Sequence, residues 1–524
     1  MELSAAGARW ALATPHALAT EAGAVAFERG GNALDAALAA AVTLAVVYPH
    51  MCGVGGDLFA LIQRPDGQTV ALNASGRSPA GIDVDAVRAR HGDRLPDHGP
   101  DVLTVPGAVS GWDQLHREGG VLPWADAFSP AIAYAHGGVA VSPSLARSLA
   151  ELAEPVRSDA GLSAVFAPGG EPLALGDPFV QPGLGATLQT LAAYGPAALY
   201  GGEVGRRLVD GLAPLGSALT LVDLSEHRAD VVPPLVGRFR DLDVRVVPPN
   251  SQGFVLLQIL ALVERLGIDP DPGGPHAGTL ALIASAAGRD RDRHLAEPDA
   301  MTVHPSTLLD DGHLASLADE VRAREAEMPA GTRSDTIALV AADADGWAVS
   351  LIQSLAAGFG ACIAEPATGI VLQDRGAGFT LEHGHPNVLA PRKRPAHTLM
   401  PVLVHRGDHL AAALGTMGGY AQPQINAENI LRLFAAGDRT PAEVLSEPRW
   451  LVGGMDVESA PPFVLAERGL PDPAAASIER AGYRLRLDDR PSEEVGHAHL
   501  IVTSHDGSFE AASDPRADGG AMAT

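Results

Sequence analysis

Cysteine is nearly missing: Cys52 and Cys362 are the two in 524 residues, and no Cys-x-x-Cys pair exists. That excludes a disulfide framework and a cysteine-rich zinc site, and it allows a reducing compartment. Basic residues are scarce as well. Lys and Arg number 37 against 63 Asp and Glu, a formal net charge of −26. Phosphate binding needs clustered cations that this chain lacks, so nucleic acid is not expected as a partner and a small molecule is. Residues 1–9 hold neither the basic nor the apolar region of a secretory signal, and a cytoplasmic protein is expected. The most apolar run, residues 36–48, is too short and Ala-rich to cross a bilayer, which takes roughly 20 residues, so no membrane partner is expected. Gly53, Gly55 and Gly56 miss the Gly-x-Gly-x-x-Gly spacing of a dinucleotide fingerprint. No internal repeat is found.

What is present is a chain that is 46% hydrophobic and long enough to bury a large core. Ala and Leu recur at three- and four-residue spacing over residues 33–47, 145–152 and 256–266, which predicts helices, the first capped by Asn32. Residues 248–253 separate a strand-like Val244-Arg245-Val246-Val247 from the last of these, and residues 269–275 read as a loop. Charge accumulates over residues 289–324, which reads as a solvated helical face or a mobile segment.

After Pro329-Ala330-Gly331 the texture changes to strand formers. Residues 336–342 and 347–355 flank Asp343-Ala344-Asp345-Gly346, a hairpin signal. Further strands are predicted at 370–373, 401–405, 409–414 and 499–503, with a helix over 426–435. Helices first, then strands, then both again imply an α+β architecture of layers around sheets. His383-Gly384-His385 and His497-Ala498-His499 have a spacing that binds metal when a third ligand converges. They read as surface or turn histidines, and no metal or cofactor is expected.

Taken alone, Ser334-Asp335-Thr336 is a turn followed by the first residue of a buried strand, where threonine is at home. The order of its neighbours says more. Gly30-Gly31-Asn32-Ala33-Leu34-Asp35-Ala36-Ala37, Tyr48-Pro49-His50 and Gly53-Val54-Gly55-Gly56 come first, then Val105-Pro106-Gly107-Ala108-Val109-Ser110-Gly111 and Pro248-Pro249-Asn250-Ser251. Later follow Asp343 to Ser350, Lys393-Arg394-Pro395, Gly415-Thr416-Met417-Gly418-Gly419 and Ser513-Asp514-Pro515-Arg516. In that order they resemble the γ-glutamyltransferase family over nearly the whole chain.

The resemblance implies a four-layer αββα sandwich of the N-terminal-nucleophile hydrolase type. It implies self-cleavage between Asp335 and Thr336 into residues 1–335 and 336–524, which stay intertwined as a heterodimer and in some relatives pair further. Thr336 is then the nucleophile, and its freed α-amine the base. Gly418 and Gly419 match the backbone donors of the oxyanion hole, and Ser354 the hydroxyl that supports the nucleophile.

Other positions depart from the family. The arginine that grips a glutamyl α-carboxylate falls at Ser75, with Arg77 two residues on, and the aspartate that meets the α-amine falls at Gly378. An asparagine after the supporting hydroxyl is Ala356. Arg375 replaces a neutral amide residue, and a guanidinium holds a carboxylate through two hydrogen bonds; His397 and Thr398 stand where the family has two serines. Residues 382–392 are too short for a covering loop, which predicts a more open site. The Gln373 to Phe379 and Pro395 to Leu399 stretches are closer to γ-glutamyltransferase-like amidohydrolases such as oxamate amidohydrolase. The expected activity is hydrolysis of an amide in a small carboxylate-bearing substrate. Two alternatives stand beside it: a γ-glutamyl transpeptidase or glutathione hydrolase using other handles, and an uncleaved, inactive relative with a binding role.

Overall fold

The computed structural model describes residues 1–323, 335–453 and 462–524. Arg324, Pro329-Ala330-Gly331 and Ser334 lie outside them. The helix Ala33–Val47 has the bounds its periodicity predicts. Asn32 accepts from the N–H groups of Leu34 and Asp35, while Asp35 accepts from the Asn32 N–H, which satisfies three donors at the helix start. All of its residues are buried, as an all-round apolar helix requires.

The predicted hairpin also forms. Strands Asp335–Asp343 and Ala348–Ala356 pair antiparallel, with Ala342 opposite Ala348. Asp343 closes the turn by accepting from Asp345 N (3.1 Å) and Trp347 N (3.1 Å), and its second oxygen accepts from Ala33 N at 2.7 Å. One aspartate therefore fixes both the hairpin and the foot of the buried helix.

Two seven-stranded antiparallel sheets carry the fold. One runs Gly520–Ala523, Trp10–Thr14, Asp335–Asp343, Ala348–Ala356, Asp57–Gln63, Thr69–Asn73, Asp230–Val232. The other runs Ser4–Gly7, Phe509–Ser513, Ala498–Thr503, His409–Thr416, Val402–Arg406, Leu242–Val246, Leu235–Phe239. An apolar core with Ala13, Phe59, Val340, Ile352, Leu403 and Ile501 lies between them. A second core packs helices such as Ala33–Val47 on the first sheet, and a third packs Gly253–Leu266, Ala277–His294 and Gln422–Phe434 on the other. Three cores separate four layers, α, β, β and α. Strands from before and after Asp335 interleave in both sheets, so neither part could keep its sheets without the other. Among the described residues no helix is long and apolar enough to cross a membrane.

Two expectations are corrected. Residues 289–324 are not wholly a solvated face: within the helix Ala277–His294, Asp290 and Arg291 are buried. Their charges are met by neighbours, Gln258 and His313 bonding to Asp290 and Asp292 pairing with Arg291. His497 and His499 are fully buried rather than on the surface: His499 lies in the strand Ala498–Thr503, whose first four residues are buried on both faces between layers, and His497 just precedes it. His383, by contrast, is exposed in a turn.

Candidate active site

Thr336 is the second residue of its strand, at a register shift. Asp335 pairs with Ala356 and Ile337 with Gln353, which leaves Ser354 and Leu355 opposite Thr336 alone. This bulge, at the start of a central strand, sets the Thr336 hydroxyl against Ser354 on the neighbouring strand. Thr336 Oγ1 donates to Ser354 Oγ at 3.0 Å, and Ser354 Oγ donates to the carbonyl oxygen of Asp335 at 2.7 Å. One serine hydroxyl thus touches the threonine oxygen and the carbonyl preceding it. Ala356 N also donates to Ser354 Oγ, at 2.8 Å. Ala356 takes φ 84°, a left-handed conformation that tolerates asparagine better than alanine. Gly55 and Gly56 pack beneath: a Cβ on Gly55 would lie 2.0 Å from Val371 O, and one on Gly56 2.3 Å from Ser354 O.

Arg375 enters from the short helical turn after the strand Ile370–Val371. Its Nη2 donates to Ser354 Oγ (3.2 Å) and its Nη1 to Thr398 Oγ1 (3.1 Å), while Nε has no acceptor among the described residues. The side chain is buried. Burial pulls its pKa down, opposed by Asp57, Asp374 and Tyr420, and a guanidinium stays charged throughout. Asp374 is itself pushed up to about 6 by burial, against a hydrogen bond from Ala357 N and the charge of Arg375.

His397 is completely buried between Asp57, to which Nε2 donates at 3.1 Å, and Leu399 N, which donates to Nδ1 at 3.3 Å. Burial and Arg375 lower it to about 3, against the hydrogen bond to Asp57, so the ring is neutral with both nitrogens engaged. Its neighbour Thr398 meets Arg375 directly. The Asn250-Ser251-Gln252 turn clamps this segment: Asn250 Nδ2 donates to Pro395 O, Ser251 Oγ to Leu399 O and Gln252 Nε2 to Thr398 O.

Gly418 (φ 141°) and Gly419 (φ 54°) turn the chain from the strand His409–Thr416 into the helix Gln422–Phe434. Gln252 Nε2 donates to Gly419 O at 2.9 Å, which ties this turn to the Thr398 segment. Arg291 stacks on Tyr420 at 3.8 Å and donates to its carbonyl. Asp57, Gln252, Arg291 and Tyr420 went unnoticed in the sequence. Asp57 directly follows Gly55-Gly56, the one signal that could have found it.

The structure brings Thr336, Ser354, Arg375 and Thr398 together in one chain of hydrogen bonds, with His397 behind them. Arg77 is elsewhere: it pairs with Glu297 and donates to Arg392 O, in a cavity of about 400 Å³ shared with Arg228, Arg392 and Arg394. Ser75 is buried against Asn73 and Asn250, and Gly378 faces Ala396 O, so neither glutamyl handle has a substitute at these positions. The expected open site is not found: Thr336, Ser354, Arg375, His397 and Thr398 are all buried in the continuous chain. Asp335 lies over Ser354 there, and Lys393 Nζ ties residues 382–392 down through Pro386 O and Val388 O.

A four-layer αββα sandwich of this kind is the fold of the N-terminal-nucleophile hydrolases, a class of acyl-transfer enzymes. Residues 19–524 match gamma-glutamyltranspeptidase. The chain is 37% identical to the oxamate amidohydrolase proenzyme of Klebsiella pneumoniae, over 97% of each chain. It is 35% identical to the glutathione hydrolase-like YwrD proenzyme of Bacillus subtilis, over the whole of both. The cephalosporin acylase of Bacillus halodurans superposes with a TM-score of 0.91 at 30% identity, covering 100% of this chain and 97% of that one. The chain belongs to the gamma-glutamyltranspeptidase family.

Proposed function

We propose that this protein cuts itself between Asp335 and Thr336 and then hydrolyses an amide in a small substrate carrying a carboxylate close to the scissile carbonyl. The observation that carries the reading is the sequence of contacts Asp335 O, Ser354 Oγ, Thr336 Oγ1, with Arg375 on the same serine. In self-cleavage Thr336 Oγ attacks the Asp335 carbonyl carbon, and the carbonyl electrons move onto its oxygen, which Ser354 stabilises. Collapse breaks the Asp335–Thr336 C–N bond, the nitrogen taking up the hydroxyl proton. Water then cleaves the ester to a carboxylate on Asp335 and a restored hydroxyl on Thr336. Residues 1–335 and 336–524 remain one heterodimer because their strands interleave.

The freed α-amine titrates at roughly 7.7 to 8.0 when unperturbed, so it accepts the hydroxyl proton near neutral pH without a catalytic histidine. Attack on substrate gives an acyl ester on Thr336. The N–H groups of Gly418 and Gly419 hold the oxyanion, where losing one donor costs ~3 kcal/mol, and water releases the acid. Arg375 and Thr398 bind the substrate carboxylate. A buried guanidinium with an unmatched N–H gains most from such a partner, and His397 supports it through Asp57. That two relatives are an oxamate amidohydrolase and a cephalosporin acylase supports amide hydrolysis as the reaction.

A panel of small amides with and without a carboxylate near the scissile bond tests the reading. Arg375→Ala should raise KM for the carboxylated amides and leave the neutral ones nearly unchanged; equal turnover of both classes by wild type and variant would remove its basis. The name of the Bacillus subtilis relative favours a second reading, glutathione-type hydrolysis. Rapid turnover of a γ-glutamyl anilide would establish that one instead.

A further inference from the structure

The contacts of Ser354 oversubscribe its oxygen. A serine hydroxyl has one hydrogen to give and two lone pairs to receive. Three donors point at Ser354 Oγ: the Thr336 hydroxyl, Ala356 N–H and Arg375 Nη2–H. The acceptor it meets is the carbonyl oxygen of Asp335, at 2.7 Å. With its lone pairs taken by donors, the one hydrogen of Ser354 is directed at the bond to be cut. Thr398 holds the other arm of the guanidinium at 3.1 Å, so Arg375 is braced in this orientation.

We infer that Arg375 is a positioning residue for self-cleavage as well as a substrate anchor, acting through Ser354 on the scissile carbonyl before any substrate binds. The inference rests on the self-cleavage reading above. Its positive charge strengthens Ser354 as a donor just as the Asp335 oxygen takes on negative charge. A hydrogen bond from a charged donor polarises the hydroxyl more than a neutral one does. The bonds made and broken are those of the self-cleavage step. Arg375 adds no proton and keeps its own.

Self-cleavage needs no substrate, so the two roles separate experimentally. Full-length precursor of wild type, Arg375→Ala, Arg375→Gln and Arg375→Lys is purified quickly in the cold, and the conversion of one band into two is followed on warming. Arg375→Ala and Arg375→Gln should convert about 10- to 100-fold more slowly, the loss expected for one charge-assisted hydrogen bond. Arg375→Lys should recover part of the rate, and sub-denaturing guanidinium chloride should accelerate Arg375→Ala while leaving wild type unchanged. In a Ser354→Ala background, Arg375→Ala should slow conversion no further. Wild-type conversion by Arg375→Ala or Arg375→Gln would overturn the inference. So would a slow variant that neither lysine nor guanidinium restores, or one equally slowed without Ser354. If Arg375→Ala does not fold, Arg375→Gln against Arg375→Lys decides on the same readout. A wild-type chain that never splits would instead sink the reading beneath it.

Discussion

Replacing Ser354 with alanine removes the oxygen on which Thr336, Ala356 and Arg375 converge and the donor that faces the Asp335 carbonyl. Two magnitudes follow, and they belong to different measurements. For the rate, the lost contact is a hydrogen-bond donor at the oxygen where charge develops. Losses of that kind cost about 3–4 kcal/mol, or roughly 10²- to 10³-fold. For stability, the buried N–H of Ala356 and one guanidinium N–H are left without an acceptor, which costs about 1–3 kcal/mol. The rate is read by following freshly purified precursor on denaturing gels. The stability is read by urea unfolding of Ser354→Ala/Thr336→Ala against Thr336→Ala, both expected to remain single chains. Ser354→Thr keeps the hydroxyl and should convert close to the wild-type rate. Conversion of Ser354→Ala at the wild-type rate would show that the serine does not act on the scissile carbonyl, and the bridging argument would fall with it.

Three further outcomes are expected. Gln252→Ala should unfasten the Gly418-Gly419 turn from Thr398, lowering kcat of the mature enzyme about ten-fold with little change in KM, since roughly 1–1.5 kcal/mol rides on such a bond; steady-state kinetics on the best substrate checks it. Burial pulls His497 down to about 4 and His499 to about 3, so both are neutral in the fold while an unfolded chain protonates them near 6.5. Their contribution is complete above pH 6.5 and is lost as pH falls towards 4 for His497 and towards 3 for His499, up to roughly 3 and 5 kcal/mol, and His499→Phe should flatten the acid limb of Tm against pH. Asp514→Ala should destabilise by about 3–5 kcal/mol, because the buried Arg449 and Arg516 both pair with this carboxylate. Burial raises the Asp514 pKa, but the two guanidiniums outweigh it and hold it well below the usual range, so this part of the stability is present above the ordinary carboxylate pKa and disappears only in strong acid.

The features legible in the sequence are those encoded over a few residues. The helix Ala33–Val47 follows from its periodicity and from Asn32 and Asp35, and the hairpin at Asp343 from Asp-Gly between strand formers. The order of motifs along the chain singles out Thr336, Ser354, Gly418 and Gly419, of which Thr336 and Ser354 are hydrogen-bonded in the structure. What escaped depends on residues far apart in sequence. Asp57 and His397 are hydrogen-bonded at a separation of 340 residues, and Gln252 bonds to Gly419 across 167. Neither pairing leaves a local pattern. The burial of Asp290 and Arg291 was missed for a related reason: polar residues read as exposed unless their partners are known, and partners such as Gln258, His313 and Tyr420 sit on other elements. The site read as open because residues 382–392 are few. In the continuous chain Asp335 lies over Ser354, and loop length carries no information about that.

Intact mass and N-terminal sequencing of freshly purified, active protein test the central claim most directly. The expected result is that the 53.9 kDa chain resolves into two tightly associated pieces, the smaller beginning Thr336-Ile337-Ala338, and that Thr336→Ala leaves a single inactive chain. Full activity in an unbroken chain, or a smaller piece that begins at another residue, would contradict it.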